Sequence, residues 1–370
     1  MPRTPDPVED GLDTSQPPHP VFYVEQALLG ALLLEPQRLG SVTGIAPDSF
    51  SAAAHAALFA AIRSLPAPDP AEHAKNTIWL NQVLAAARDQ ARGLTASYLH
   101  SLIQVCPWPR HAPAYARMVE AEHSRRRLGA AAQRVMQTAG DTSLPQRVAA
   151  TLAEADALAA VVDDIAARFP AHSGSLPRTH APSLAVPHDE EAVDEERLLL
   201  ATATAYPGSV DQMRWLTPGD FTHPLHAGLW QCLTTLTRRG TPVDPIAVLW
   251  EAQQHGLLNP GTEPRELLDL LAVPAGSPEH WGERILQRSV LATAHHIGRR
   301  IEACTDDPAT TPYQLVVGSR RALADLSAVR TRWQHATSPA PTKRPARTRA
   351  TAAPRAGPPT TAPPAARISR

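Results

Sequence analysis

Aromatic residues are scarce in this sequence. They make up 5% of its 370 residues, against 43% hydrophobic residues overall. Any core therefore rests on Ala, Leu and Val rather than on large rings. Cysteine is scarcer still: Cys106, Cys232 and Cys304 are odd in number, far apart and form no Cys-x-x-Cys pair. That spacing argues against a disulfide framework and against a cysteine zinc cluster. The longest apolar run, Ala27 to Leu34, is far short of the ~20 residues a membrane-spanning helix needs. The N-terminus carries Asp6, Glu9, Asp10 and Asp13 among prolines, which is not the order of a secretory signal. Lysine occurs only at positions 75 and 343, so arginine is the default cation and clusters of it say less than usual. These absences point to a soluble protein of a reducing compartment, expected in the cytoplasm with nucleoid association open.

Proline, by contrast, is abundant at 38 residues, and it clusters: residues 1–20, 169–190 and 337–370 hold 6, 4 and 8 of them. These stretches read as tails and a linker. The net charge of −1 hides an asymmetry, because residues 337–370 carry seven Lys or Arg and no acid. Such a segment cannot pack a core and suits an extended tether.

The rest of the chain repeats itself. Sliding the sequence by 171 positions aligns Glu25 with Glu196, Leu28 with Leu199, Pro36 with Pro207, Phe50 with Phe221, His55 with His226 and Leu58 with Leu229. With small gaps the match continues: Ile78 meets Ile246, Tyr115 meets Trp281 and Pro145 meets Pro312. The chain is thus two copies of one module. The expected organisation is a tail over 1–20, a first module over 21–168, a linker over 169–190, a second module over 191–336 and a tail over 337–370.

Each module reads as helical. Leu225, Leu229, Leu233 and Leu236 form an apolar stripe at helical spacing, with Thr222 placed to cap it and Pro224 in its first turn. Asp244-Pro245 opens another helix and Gly256 stops it. Further helices are expected over Glu266–Val273, over Trp281 to about Cys304 and over Pro312–Trp333, with a counterpart of the last near Pro145–Arg168. No stretch alternates with period two, so almost no sheet is expected.

The ordered series resembles the N-terminal domain of the DnaB family of bacterial replicative helicases. The resemblance is carried by Glu25-Gln26-Ala27-Leu28-Leu29-Gly30, by Asp220-Phe221 with His226 and Trp230, and by Gly240-Thr241-Pro242-Val243-Asp244. It implies an all-α fold: two tandem helical bundles, each followed by a linker-type helix, with disordered tails. It also implies docking on replicative helicase or primase, and self-association through the helical domains. The family's motor is missing from these residues. No Gly-x-x-x-x-Gly-Lys-Ser/Thr loop occurs, and neither lysine follows a glycine. No ATP hydrolysis, cofactor or metal is therefore expected, and the chain is not expected to unwind DNA alone.

Candidate partner-binding residues are Tyr115, Arg125, Arg126, Trp281, Arg299 and Arg300, in the second half of each module. Lys343, Arg344, Arg347 and Arg349 are candidates for weak, sequence-independent nucleic-acid binding by counterion release. Leu28, Phe50, His55, Phe59, Leu199, Phe221, His226 and Trp230 are expected in the core, each histidine half-buried against a loop carbonyl. The leading expectation is a non-catalytic, replication-associated adaptor. The alternatives are a DNA-binding accessory protein acting through its tail, and a motor-less remnant that serves as a dimerisation module.

Overall fold

The computed structural model describes residues 19–170, 189–258 and 263–338. Most of both expected tails and of the linker lies outside the described residues, as do Lys343, Arg344, Arg347 and Arg349. The chain divides into a first unit, Met1–Ala336, and a second, Thr337–Arg370. The first unit holds the helices, the last of them ending at its boundary.

Among the described residues the regular structure is helical throughout. The first series is α1 (Pro20–Leu34), α2 (Ala53–Ser64), α3 (Pro70–His73), α4 (Ile78–Arg88), α5 (Ala96–Val105), α6 (Ala112–Gly140) and α7 (Arg147–Arg168). The second is α8 (Glu190–Ala205), α9 (Pro224–Arg239), α10 (Pro245–Gln254), α11 (Pro264–Ala272), α12 (Pro278–Asp306) and α13 (Pro312–Thr337). The short α3 has no counterpart in the second series.

Local chemistry sets the ends. A proline opens α9, α10, α11 and α12, where its missing N–H leaves no helical bond unmade. Asp244 caps α10 by accepting from the Ala247 N–H at 2.8 Å, and Gly240, at φ 66°, ends α9 in the left-handed region. Thr222 does not cap α9. The N-cap is His223, because the Thr222 hydroxyl is drawn away to the Glu196 carboxylate at 2.7 Å.

The apolar residues form two separate cores. One lies within α1–α5 and the first turns of α6, around Leu28, Phe50, Phe59 and Trp79, and ends at Val119. The other begins at Leu128 and runs without a break through α7 and all of α8–α13. The break has a cause in the sequence. Between Val119 and Leu128 the inward positions of α6 are Glu120 and Ser124, both buried. The corresponding positions of α12 are the buried Leu286 and Val290, which carry the second core straight through.

The two repeats meet along α6 and α12. Gly129 faces Thr305, Gln133 donates to Glu302 at 3.3 Å, and Gly298 faces Ala132 and Met136. Rising numbers on one helix meet falling numbers on the other, so the helices run antiparallel. A Cβ on Gly298 would lie 3.1 Å from the Ala132 carbonyl oxygen as well as against Met136; glycine is what permits the approach. With α7 and α13 these helices make the shared bundle. The α1–α5 and α8–α11 regions form a head for each repeat.

Candidate interaction surfaces

Each head is organised around a buried acid and a buried histidine. In the first, Glu25 comes from α1 and His55 from α2, and both side chains are fully buried. The His55 Nδ1 donates to Glu25 at 2.7 Å, and its Nε2 lies 2.7 Å from the Tyr98 hydroxyl on α5. The Ser51 N–H donates to the other Glu25 oxygen. In the second head the His226 Nδ1 donates to Glu196 at 2.8 Å, and Glu196 also accepts from the Thr222 N–H and hydroxyl and the His223 N–H. Burial pushes the Glu196 carboxyl up. The hydrogen bonds from His226 and Thr222 outweigh it and hold the carboxyl below the usual range. The histidines are thus fully buried and paired with carboxylates, not half-buried on loop carbonyls. The signal was present in the sequence: both pairs are 30 residues apart.

The seam between repeats has its own polar fastening. The Arg125 guanidinium on α6 reaches the turn between α12 and α13. It donates to the carbonyls of Thr305 at 3.0 Å, Asp307 at 2.6 Å, Pro308 at 3.4 Å and Thr310 at 2.6 Å. Arg320 and Arg330 on α13 pair with Asp163 and Asp156 on α7. Arg332, near the end of α13, binds the buried Asp220 and the Trp215 carbonyl of the second head.

Several residues expected to meet a partner are engaged within the chain. Arg125 holds the turn just described. Arg126 donates to the Ser49 carbonyl at 2.7 Å. The Trp281 indole N–H donates to Ala275, closing the bend between α11 and α12. Arg300 pairs with Asp325 at 2.7 Å. Tyr115 is half-buried against the first core beside His111, and burial raises its phenol above the ordinary value. Arg299 is exposed. Of the expected core residues, Leu28, Phe50, His55, Phe59, Leu199, His226 and Trp230 are buried, and Phe221 is half-buried against the second core.

What the heads turn outward is different. Ile78 and Ile246, the same position in the two repeats, are each 63% exposed. Trp250 follows one turn after Ile246, on the same side of α10, and is also exposed. Trp108 stands out from the bend between α5 and α6, with the Arg110 guanidinium over its ring at 4.6 Å. Among the described residues no three His, Cys, Asp or Glu side chains are grouped to hold a metal ion. No helix among them is long and apolar enough to cross a membrane.

A family model for the DnaB-like helicase N terminal domain matches residues 16–121 and again residues 188–281. The two segments cover the heads and the opening turns of α6 and α12. The remainder of the shared bundle lies beyond them. No curated protein and no solved structure matches the chain. With the family segment present twice, over more than half of the sequence, and carried by an all-helical fold, the chain belongs to the family of the DnaB-like helicase N terminal domain.

Proposed function

We propose that the protein is a non-catalytic adaptor or modulator of the replicative helicase, the primase or both, and that it docks through its two heads. One observation carries the reading: two helicase N-terminal repeats are joined along α6 and α12 in one chain, without a phosphate-binding loop in the sequence. The α6 face of the first repeat is covered by α12 of the second within the same chain. What remains for other proteins is the outer side of each head, where Ile78, Ile246 and Trp250 are exposed.

The test mixes the full chain with the replicative helicase and the primase of its host, using size-exclusion chromatography with light scattering at moderate salt. A co-eluting complex with either is expected, weakened by Ile246→Asp or Trp250→Ala while the fold is retained. Failure to bind both proteins overturns the reading, as would stoichiometric ATP binding by the purified chain. A second reading rests on the seven cations and no acid of residues 337–370: a DNA-binding accessory protein acting through its tail. Deleting that segment separates the two. Helicase or primase binding survives the deletion under the first reading, and salt-sensitive DNA binding disappears under the second.

A further inference from the structure

The two heads are alike in fold and unlike in charge where each bends into its long helix. Over residues 90–119 there is no acid at all, and Arg92, Arg110 and Arg117 are the cations. The corresponding residues 256–285 hold five acids against two arginines. The acids that border the first bend are already engaged: Glu35 with Arg38, Glu120 with Arg168 and Glu122 with Arg125. Among the described residues no carboxylate stands within ion-pair distance of Arg110 or Arg117.

The first bend is built of planar groups. Trp108 is 54% exposed, between Pro107 and Pro109. The prolines restrict the backbone there, so the indole is presented at little entropic cost. The Arg110 guanidinium lies over its ring at 4.6 Å. The exposed His111 follows, its Nε2 3.4 Å from the Arg110 Nε and its ring edge to face with Tyr115. Arg110, Ala114 and Arg117 then share one exposed side at helical spacing. The two arginines are roughly 10 Å apart along the axis at 1.5 Å per residue, within reach of neighbouring phosphates of one strand.

We infer that this bend of the first head is a binding site for single-stranded nucleic acid, with a base stacked on Trp108 and phosphates held by Arg110 and Arg117. Every base has a π-face, so the contact is independent of sequence. In a duplex those faces are closed within the stack, and the exposed indole has nothing to cover. An acidic peptide would satisfy the arginines, but its apolar anchor would need a pocket to fill, and Trp108 stands out from the surface instead. The same chemistry serves DNA and RNA strands, since the bend has no carboxylate to accept a 2′-hydroxyl. The second head presents Val273 at the matching bend, flanked on α11 by the exposed Glu263, Glu266 and Asp269, which repel a phosphate backbone. The chain therefore holds a strand at one head only.

Fluorescence anisotropy of labelled oligothymidylate and oligouridylate tests this, titrated at low salt with the full chain in which the seven cations of residues 337–370 are changed to Gln. Both strands bind, and a duplex of the same length binds roughly tenfold more weakly. Trp108→Ala weakens binding roughly tenfold without changing its salt dependence, and Trp108→Phe restores most of the loss. Arg110→Gln with Arg117→Gln makes the fall of log Kobs with log salt shallower by about 1.4, at about 0.7 for each phosphate on a single strand. All three side chains are exposed, so unchanged thermal unfolding separates lost binding from lost fold. No binding by the chain with the neutral tail overturns the inference. So does binding that ignores the bend variants, or that favours the duplex. Displacement of the strand by an equal concentration of an acidic, Phe-bearing peptide overturns it as well, and makes the bend a protein-docking face. No helicase or primase is present, so the outcome is independent of the docking reading above.

Discussion

Glu196 has almost no contact with water, yet its carboxyl is held below the usual range. Burial works against the charge, and the donors from His226, Thr222 and His223 overcome it. This has a pH consequence with a definite sign. A carboxyl whose value is lower in the folded chain than its ordinary 4.5 stabilises the fold above that value. The contribution is lost as pH falls through the lowered one. Glu196→Gln removes the charge while keeping the shape. At neutral pH it is expected to cost about 2–4 kcal/mol, because His226 and the loop donors lose a charged acceptor. Urea unfolding followed across acidic pH is the check: the wild type loses stability below about pH 4.5 more steeply than the variant. Equal slopes for the two would show that Glu196 is not a source of the acid sensitivity.

At the scale of elements, the fastening of the seam is open to direct test. Arg125→Ala removes the donor shared by four carbonyls of the α12–α13 turn. A loss of about 2–3 kcal/mol is expected, because the Thr305 and Thr310 acceptors are partly buried and all four are served by a charged group. Hydrogen exchange should speed up first at residues 305–312, and guanidinium ion at low concentration should partly restore protection. Uniform loss of protection over the whole chain would contradict so local a role. Gly298→Val acts on the same seam through packing. The new side chain meets Met136 and the Ala132 carbonyl, and overpacking of this kind costs typically 1–3 kcal/mol. Thermal unfolding should record it, whereas the same change at Gly140, where a Cβ meets nothing within 4 Å, should leave the seam untouched.

The elements themselves were legible in the sequence because their signals are local. Asp244-Pro245 states where α10 begins, and the shift of 171 lays α8 and α9 over α1 and α2. The polar fastenings were not. Arg125, Arg126 and Arg300 stand in short cationic runs on long helices, which a sequence cannot distinguish from a solvated face. Their partners are carbonyls of a distant loop or a carboxylate 25 residues on. Carbonyls are present at every residue and leave no mark in a sequence. The Glu–His pairs fall between these cases. Both residues stood in the repeat alignment, and only their constant spacing hinted that they touch.

At the scale of the whole described fold, the repeats have unequal cores, and that inequality sets how the protein should unfold. The first head has its own core, which ends at Val119. The second head shares one continuous core with the bundle. Between the two cores the inward side of α6 holds Glu120 and Ser124. The first is tied to Arg168, and the second has no hydrogen-bond partner for its hydroxyl in the fold. Cooperativity spreads through contiguous apolar packing and weakens where that packing is interrupted. Urea is therefore expected to unfold the protein in two steps, with α1–α5 melting before the bundle and second head. Phe59→Ala, in the first core, should move the early step by about 3–5 kcal/mol and leave the late one almost unchanged. Trp230→Ala should do the reverse. Ser124→Val replaces an unpartnered buried hydroxyl by the residue type that α12 carries at the matching position, Val290. It should stabilise the early step by about 1 kcal/mol and draw the two transitions together. Hydrogen exchange read separately for α2 and α9 would resolve them. A single transition that every one of these variants shifts alike would mean that the two cores act as one despite the polar break, with the load passing through the α6 backbone itself.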